Sequence, residues 1–235
     1  MCDRLMNGVC EGLGMLIPAR FNGPPGSGNG GWCAGVFATA AGAVIGGPAH
    51  QVTLRLPPPL DTPLALRDGS ILAGDALVAE VTAGADAGDG APPVPFAEAS
   101  AASRNYPGLT AHPFPGCFVC GPDRAPGDGL RIFPGPLAGD RTAAPWTVPD
   151  DVRAETMWAA LDCPGGWAAI GPAGRAFVLG RIAARIGELP APGAECVVTG
   201  SLSAVSGRKA TVDSAVYGPD GRRLASARAT WLAVI

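Results

Sequence analysis

The chain has 235 residues, 47% of them hydrophobic and 16% charged, with a formal net charge of −3. That supplies enough apolar surface for one large core or two small ones and too little charge for a disordered chain. The acidic balance, without a basic stripe or an alternation of basic with aromatic residues, excludes a nucleic-acid binder.

In chain order, Met1–Arg20 carries Asp3, Arg4 and Glu11 and lacks a cationic start followed by a long apolar run. It is therefore not read as a signal peptide. Seven cysteines, an odd number without a secretion signal, read as reduced thiols of a cytoplasmic protein. Phe21–Gly31 is a Gly/Pro-rich loop, and an apolar helix is expected from Trp32 to Ile45, ending at Gly46-Gly47-Pro48. The uncharged stretch Gly30–Ala49 is long enough to span a bilayer. Its six glycines and one proline favour instead a helix buried on all sides, with no membrane span.

Gln51–Leu56 alternates as a strand does, and Leu64–Arg67, Asp68-Gly69 and Ile71–Val81 read as a hairpin. Ala83–Pro95 is small, acidic and Pro/Gly-rich, and reads as a linker. Beyond it, Phe114–Cys120, Leu130–Phe133 and Ala144–Val148 read as short strands. Ala154–Cys163 reads as a helix interrupted at Pro164-Gly165-Gly166. Strands follow at Ala176–Ile186, Glu195–Ser203, Lys209–Tyr217 and, past an Asp220-Gly221 turn, Leu224–Val234.

The two halves echo each other. Each has a helix, a strand, a Pro-rich break (Leu56-Pro57-Pro58-Pro59 and Leu189-Pro190-Ala191-Pro192), further strands and an Asp-Gly turn. Periodicity at this scale points to a duplicated unit. The boundaries expected are residues 1–100, with the linker at the end, and residues 101–235. A long apolar helix followed by antiparallel strands is an α+β unit, and a curved sheet wrapped around the helix covers its surface.

Two constellations carry chemistry. Asn29-Gly30-Gly31 opens the first helix, where unpaired amides and the positive dipole end suit an oxyanion, with an ordinary Asn N-cap as the plain alternative. Asp162 is an acid near the end of an otherwise apolar helix, where burial raises its pKa. It reads as a general base or nucleophile, or else as the cap of a helical turn starting at Pro164. Cys117-x-x-Cys120 supplies two of the four ligands that a structural zinc needs. Cys163 or His112 would have to add to them, no second CxxC exists, and the motif reads as a turn with buried thiols. There is no G-x-S-x-G elbow.

Three segments resemble the hotdog-fold thioesterases in their fused, double-hotdog form: Ser27-Gly28-Asn29-Gly30-Gly31-Trp32, Gly116–Asp123 with Gly129–Phe133, and Trp158–Gly166. The resemblance implies a tandem hotdog, each unit a curved antiparallel sheet around a central helix. It also implies an acyl-thioester (acyl-CoA) hydrolase of fatty-acyl metabolism, acting on a coenzyme A or acyl-carrier-protein thioester, with a homodimer as a common assembly. It places the site between the units, with the helix-opening glycines from one and the helix carboxylate from the other. The family pattern sets that carboxylate nine residues after the helix-opening residue. Nine after Asn29 is Ala38, and nine before Asp162 is Arg153, so one composite site and one degenerate site are expected.

In that composite site Asp162 and Asn29 are the catalytic candidates. Gly30, Gly31, Trp32, Trp158 and Cys163 are the substrate-binding ones. No metal or redox cofactor is implied. Hotdog proteins also include non-catalytic acyl-CoA or lipid binders and acyl-thioester hydratases or dehydratases. The latter usually need a His beside an acid, and neither His50 nor His112 sits on an expected helix with one.

Overall fold

The computed structural model describes residues 14–234; Cys2, Cys10 and the rest of the segment to residue 13 lie outside them. The elements run α1 (Gly30–Ala40), β1 (His50–Leu54), β2 (Ala65–Arg67), β3 (Ser70–Ala73), β4 (Ala76–Ala83), α2 (Phe96–Ser103), β5 (Gly135–Leu137) and β6 (Arg141–Thr147). They continue with α3 (Ala154–Ala173), β7 (Phe177–Ile186), β8 (Glu195–Ser206), β9 (Lys209–Tyr217) and β10 (Arg223–Ala233).

All ten strands form one antiparallel sheet in the order β2-β3-β4-β1-β7-β10-β9-β8-β6-β5. The duplication is visible in that order. Read outward from the seam, β1-β4-β3-β2 matches β7-β10-β9-β8, with β6 and β5 added beyond β8, and the units join where Val52 of β1 pairs with Ile182 of β7. The sequence comparison of the two Asp-Gly turns is off by one hairpin. Asp68-Gly69 joins β2 to β3, whereas Asp220-Gly221 joins β9 to β10 and so corresponds to Gly74-Asp75.

The expected helix on all sides buried is α1: Gly31, Trp32, Cys33, Ala34, Phe37 and Ala38 are buried around its circumference because α3, β1 and β7 close on it. It stops at Ala40 rather than Ile45. The Ala41 and Gly42 amides turn back to Phe37 and Thr39 carbonyls, and Gly42 takes φ +96°, so the apolar run continues into an exposed loop. No helix among the described residues is long and apolar enough to cross a membrane.

Three further expectations differ from the structure. The hairpin of residues 64–81 is two hairpins, with a second turn between β3 and β4. Phe114–Cys120 and Leu130–Phe133 are loop, not strand. Their amides pair outside any strand ladder, Phe118 N–H with Asn22 O, Leu130 N–H with Phe118 O and Ile132 N–H with Val119 O. Phe118, Val119 and Ile132 are apolar because the loop itself fills the core.

Third, α3 is continuous through Pro164-Gly165-Gly166. A proline there lacks a donor for the preceding turn, but hydroxyls of the sheet engage this stretch of carbonyls. Ser214 Oγ donates to Leu161 O at 2.6 Å and Thr142 Oγ1 to Pro164 O at 2.7 Å. The glycines are there for proximity. A Cβ on Gly165 would lie 2.6 Å from Val212 Cγ2, and one on Gly166 2.5 Å from the Trp231 ring.

The stretch expected as a linker is irregular but held down: Ala91 O accepts from Thr199 Oγ1 at 3.0 Å and Tyr217 Oη at 2.8 Å. The boundary proposed at residue 100 falls inside α2, which packs on β5, β6 and β8. We predict that Gly166→Ala costs about 1–3 kcal/mol by overpacking against Trp231, read as a lowered midpoint in urea unfolding. An unchanged midpoint would mean that helix and sheet have slack there.

Candidate active site

The site lies where α1 and α3 cross. The two helices run antiparallel, with Gly31 against Trp158 and Asp162 and Gly35 against Glu155. A Cβ on Gly31 would sit 2.5 Å from Asp162 Cβ and 2.7 Å from Trp158 O. The approach is therefore possible only with glycine at that position. It brings the first turn of α1 within hydrogen-bond reach of an acid 131 residues away.

Asn29 N-caps α1, its Oδ1 accepting from Trp32 N–H at 2.9 Å. That bond fixes the amide orientation and turns Nδ2 toward α3, where it donates to Asp162 Oδ2 at 2.9 Å. Gly31 N–H donates to the same oxygen at 3.0 Å. Asn29 and Asp162 are each only 2% exposed. Burial pushes the Asp162 carboxyl up to about 7, and the Gly31 and Asn29 hydrogen bonds pull against it. Its other oxygen, Oδ1, is buried without a partner among the described residues, which is costly unless a ligand or water completes it.

Gly31 N–H thus serves the protein's own acid rather than a substrate carbonyl, in contrast to the expected role. The Gly30 N–H finds no acceptor among the described residues. Gly30, Asn29 and Asp162 line a cavity of about 310 Å³ whose remaining wall is largely apolar, including Phe114, Phe177, Leu179 and Trp231. That volume is at the small end of ligand pockets. Trp231 adds a second orphan, a buried Nε1–H without a partner.

Of the other expected residues, Cys163 lines this cavity. Trp32 and Trp158 do not. Trp32 is 4% exposed and stacks on Phe21 with ring centroids 3.7 Å apart, and Trp158 is 2% exposed under Gly35. Both are core residues. Trp231, Leu179 and Phe177 were missed because strand residues of alternating burial carry no sign of which face meets a cavity. The positions that would mirror the site are a buried Ala38 and Arg153, the N-terminal flank of α3, so no acid of α1 faces the second mouth, whose own first turn carries Glu155.

The thiols also gather here. Cys117 Sγ lies 3.9 Å from Cys163 Sγ and 3.8 Å from Asn29 Nδ2. Hydrogen bonds from the Cys120 and Cys163 thiols and from the Cys120 and Val119 amides hold Cys117 well below the usual thiol range, against its burial. Phe114 N–H donates to His112 Nδ1 at 2.8 Å, so the ring proton sits on Nε2, which faces Cys120 Sγ at 3.3 Å. The five cysteines among the described residues are free, in keeping with reduced thiols.

No protein-family model matches the sequence, and no curated protein matches it either. Solved structures do match the fold over nearly the whole chain. A protein of Novosphingobium aromaticivorans provisionally named a thioesterase is 19% identical, with a TM-score of 0.65 over 93% of this chain and 94% of that one. A hot dog fold protein of unknown function from Alicyclobacillus acidocaldarius is 14% identical, with a TM-score of 0.61 over 92% and 90%. The tesB protein of Mycobacterium avium subspecies paratuberculosis is 13% identical, with a TM-score of 0.62 over 94% and 91%. The chain has the hotdog fold: two units fused in tandem, one sheet wrapped around a pair of crossed helices.

We predict that Asn29→Ala lowers stability by about 2 kcal/mol or more. It combines a lost N-cap worth about 1 kcal/mol with a lost hydrogen bond to a buried acid. Thermal and urea unfolding measure it, and a loss below about 0.5 kcal/mol would show that the cap and the bridge are replaceable.

Proposed function

We propose that the chain hydrolyses acyl thioesters in the cavity between α1 and α3. The observation that carries the reading is the pairing, on one cavity wall, of a buried acid with one uncommitted oxygen, Asp162 Oδ1, and an uncommitted amide at the first turn of a helix, Gly30 N–H. A thioester needs both. Attack at its carbonyl carbon requires a base to take a proton from water, and the oxygen that becomes negative requires a preorganised donor.

In this reading Asp162 takes the water proton through Oδ1 while its Oδ2 stays clamped by Asn29 and Gly31. Hydroxide adds to the carbonyl carbon, and the oxyanion is held by Gly30 N–H at the positive end of α1. Collapse of the tetrahedral adduct breaks the C–S bond. The thiolate leaves with the proton that Asp162 gained, and the acid product departs. Asn29 is then a positioning residue that keeps Asp162 aimed. The apolar wall formed by Phe177, Leu179 and Trp231 suits a small or short acyl group, given the cavity's size. Coenzyme A and acyl-carrier protein are the carriers to compare, and a fused chain that pairs further into a dimer is the assembly to look for.

The similarity to a protein provisionally named a thioesterase supports the reading at the level of fold, and the acid and amide supply the chemistry. The test is a panel of short to long acyl-coenzyme A thioesters with the wild type and Asp162→Asn. We expect turnover favouring short chains and a fall of about 10²–10⁴ in kcat/KM for Asp162→Asn, with the fold retained by circular dichroism. A variant as active as the wild type would remove Asp162 from the mechanism. Tight acyl-thioester binding without turnover in either protein would make the chain a binding module.

A further inference from the structure

Beyond the acid and amide, the same cavity has a wall that thioester hydrolysis leaves unused: Cys117, Cys120 and Cys163. Their sulfur atoms all lie within 4.8 Å of one another, and all three residues are buried. We propose that these three thiols form a binding site for a soft divalent cation of the zinc class.

The argument begins with the turn. Cys117-Phe118-Val119-Cys120-Gly121 folds back so that Gly121 N–H donates to Cys117 O at 2.9 Å. A Cβ on Gly121 would lie 2.5 Å from both Cys117 N and Cys117 O, so the residue after the second cysteine has to be glycine. Beside this turn Asn29 Nδ2 donates to Cys117 Sγ at 3.8 Å. A sulfur that receives an N–H bond is prepared to carry negative charge, as a metal-bound thiolate does. The third thiol comes from α3, where Cys163 Sγ stands 3.9 Å from Cys117 Sγ.

Distances favour a metal over a disulfide. Zn–S bonds of about 2.3 Å in a tetrahedron set neighbouring sulfurs about 3.8 Å apart, close to the spacing found. A disulfide requires about 2.05 Å and would leave the third thiol unpaired. Thiolates also select soft ions over magnesium or calcium.

His112 is the obvious fourth ligand, but its geometry opposes that role. The Phe114 amide occupies Nδ1, leaving the proton on Nε2, the nitrogen facing Cys120. His112 is therefore a donor to the Cys120 sulfur, an outer-shell contact that moderates thiolate charge. No fourth thiol, imidazole or carboxylate among the described residues joins the three sulfurs within 4.8 Å. The fourth position falls to water or to a donor atom carried in by a ligand, since all three cysteines border the cavity. An ion here would tie the loop of residues 112–133 to α3. Hydrolysis at Asp162 neither requires nor forbids it, so the two proposals fail separately.

The experiment uses the full chain, purified under reducing conditions, with metal content measured by mass spectrometry. Zn²⁺ is then titrated against a chromophoric chelator, and Co²⁺ is used as a spectroscopic substitute. We expect about one Zn²⁺ per chain, a thiolate-to-cobalt charge-transfer band, and a melting temperature that falls on chelation. Cys117→Ser, Cys120→Ser and Cys163→Ser should each weaken Zn²⁺ binding by about a hundredfold or more. Cys196→Ser and the Cys2→Ser/Cys10→Ser pair should leave it unchanged.

Reduced wild type that binds no Zn²⁺ and gives no cobalt–thiolate band would overturn the site, as would any triad variant that binds as tightly as the wild type. If the serine variants do not fold, the cobalt spectrum of Cys2→Ser/Cys10→Ser decides: a thiolate band supports the triad, and its absence refutes it.

Discussion

The structure turns on one contact between two helices that are far apart in sequence. Because residue 31 has no side chain, α3 comes close enough to α1 for a carboxylate oxygen to accept from the Gly31 amide and the Asn29 side chain together. The helix mouth satisfies an acid that would otherwise be too costly to bury, and the acid occupies amides that the helix cannot satisfy itself. Neither group is stable in that place without the other. Among the described residues one oxygen of the acid that borders the cavity and one amide of Gly30 are left over, and the functional account is built on them.

The surrounding fold exists to hold that crossing. A sheet whose two halves mirror each other in strand order closes around the helix pair, and its seam between β1 and β7 runs beneath it. The symmetry is kept in the strands and lost in the chemistry. Only one of the two helix mouths faces an acid, since Ala38 stands where the other would be. A duplicated scaffold that needs one site can spend the second on packing, and the buried Trp32 and Trp158 are part of that packing.

Much of this was legible in the residues. The α+β class and the long strands β7 to β10 follow from apolar periodicity, and Asn29 and Asp162, which the structure bonds to each other, stand out as a helix-opening cap and as an acid set where burial penalises it. The roles of the glycines were less so. Gly31 reads as room for a ligand, but it is room for a helix. Gly165 and Gly166 read as a break, but they let α3 lie close over Val212 and Trp231. Sequence shows that a side chain is missing and not what fills the space. Likewise the apolar runs around Phe118 and Ile132 imitate strands because a loop packed into a core must be as apolar as a strand. The meeting of Cys163 with Cys117 and Cys120 depends on the docking of a loop against a helix, which no spacing encodes.

The central claim is that the unpaired oxygen of Asp162 and the unpaired amide of Gly30 address the same bound carbonyl. The most direct measurement is a crystal structure with an inert analogue of a short acyl thioester in which the reacting carbonyl is retained. The account predicts its oxygen about 3 Å from Gly30 N, its carbon facing Asp162 Oδ1 across the space of one water, and its acyl group against Leu179 and Trp231. An analogue bound elsewhere on the sheet, or seated in the cavity with its carbonyl turned away from Gly30, would contradict it.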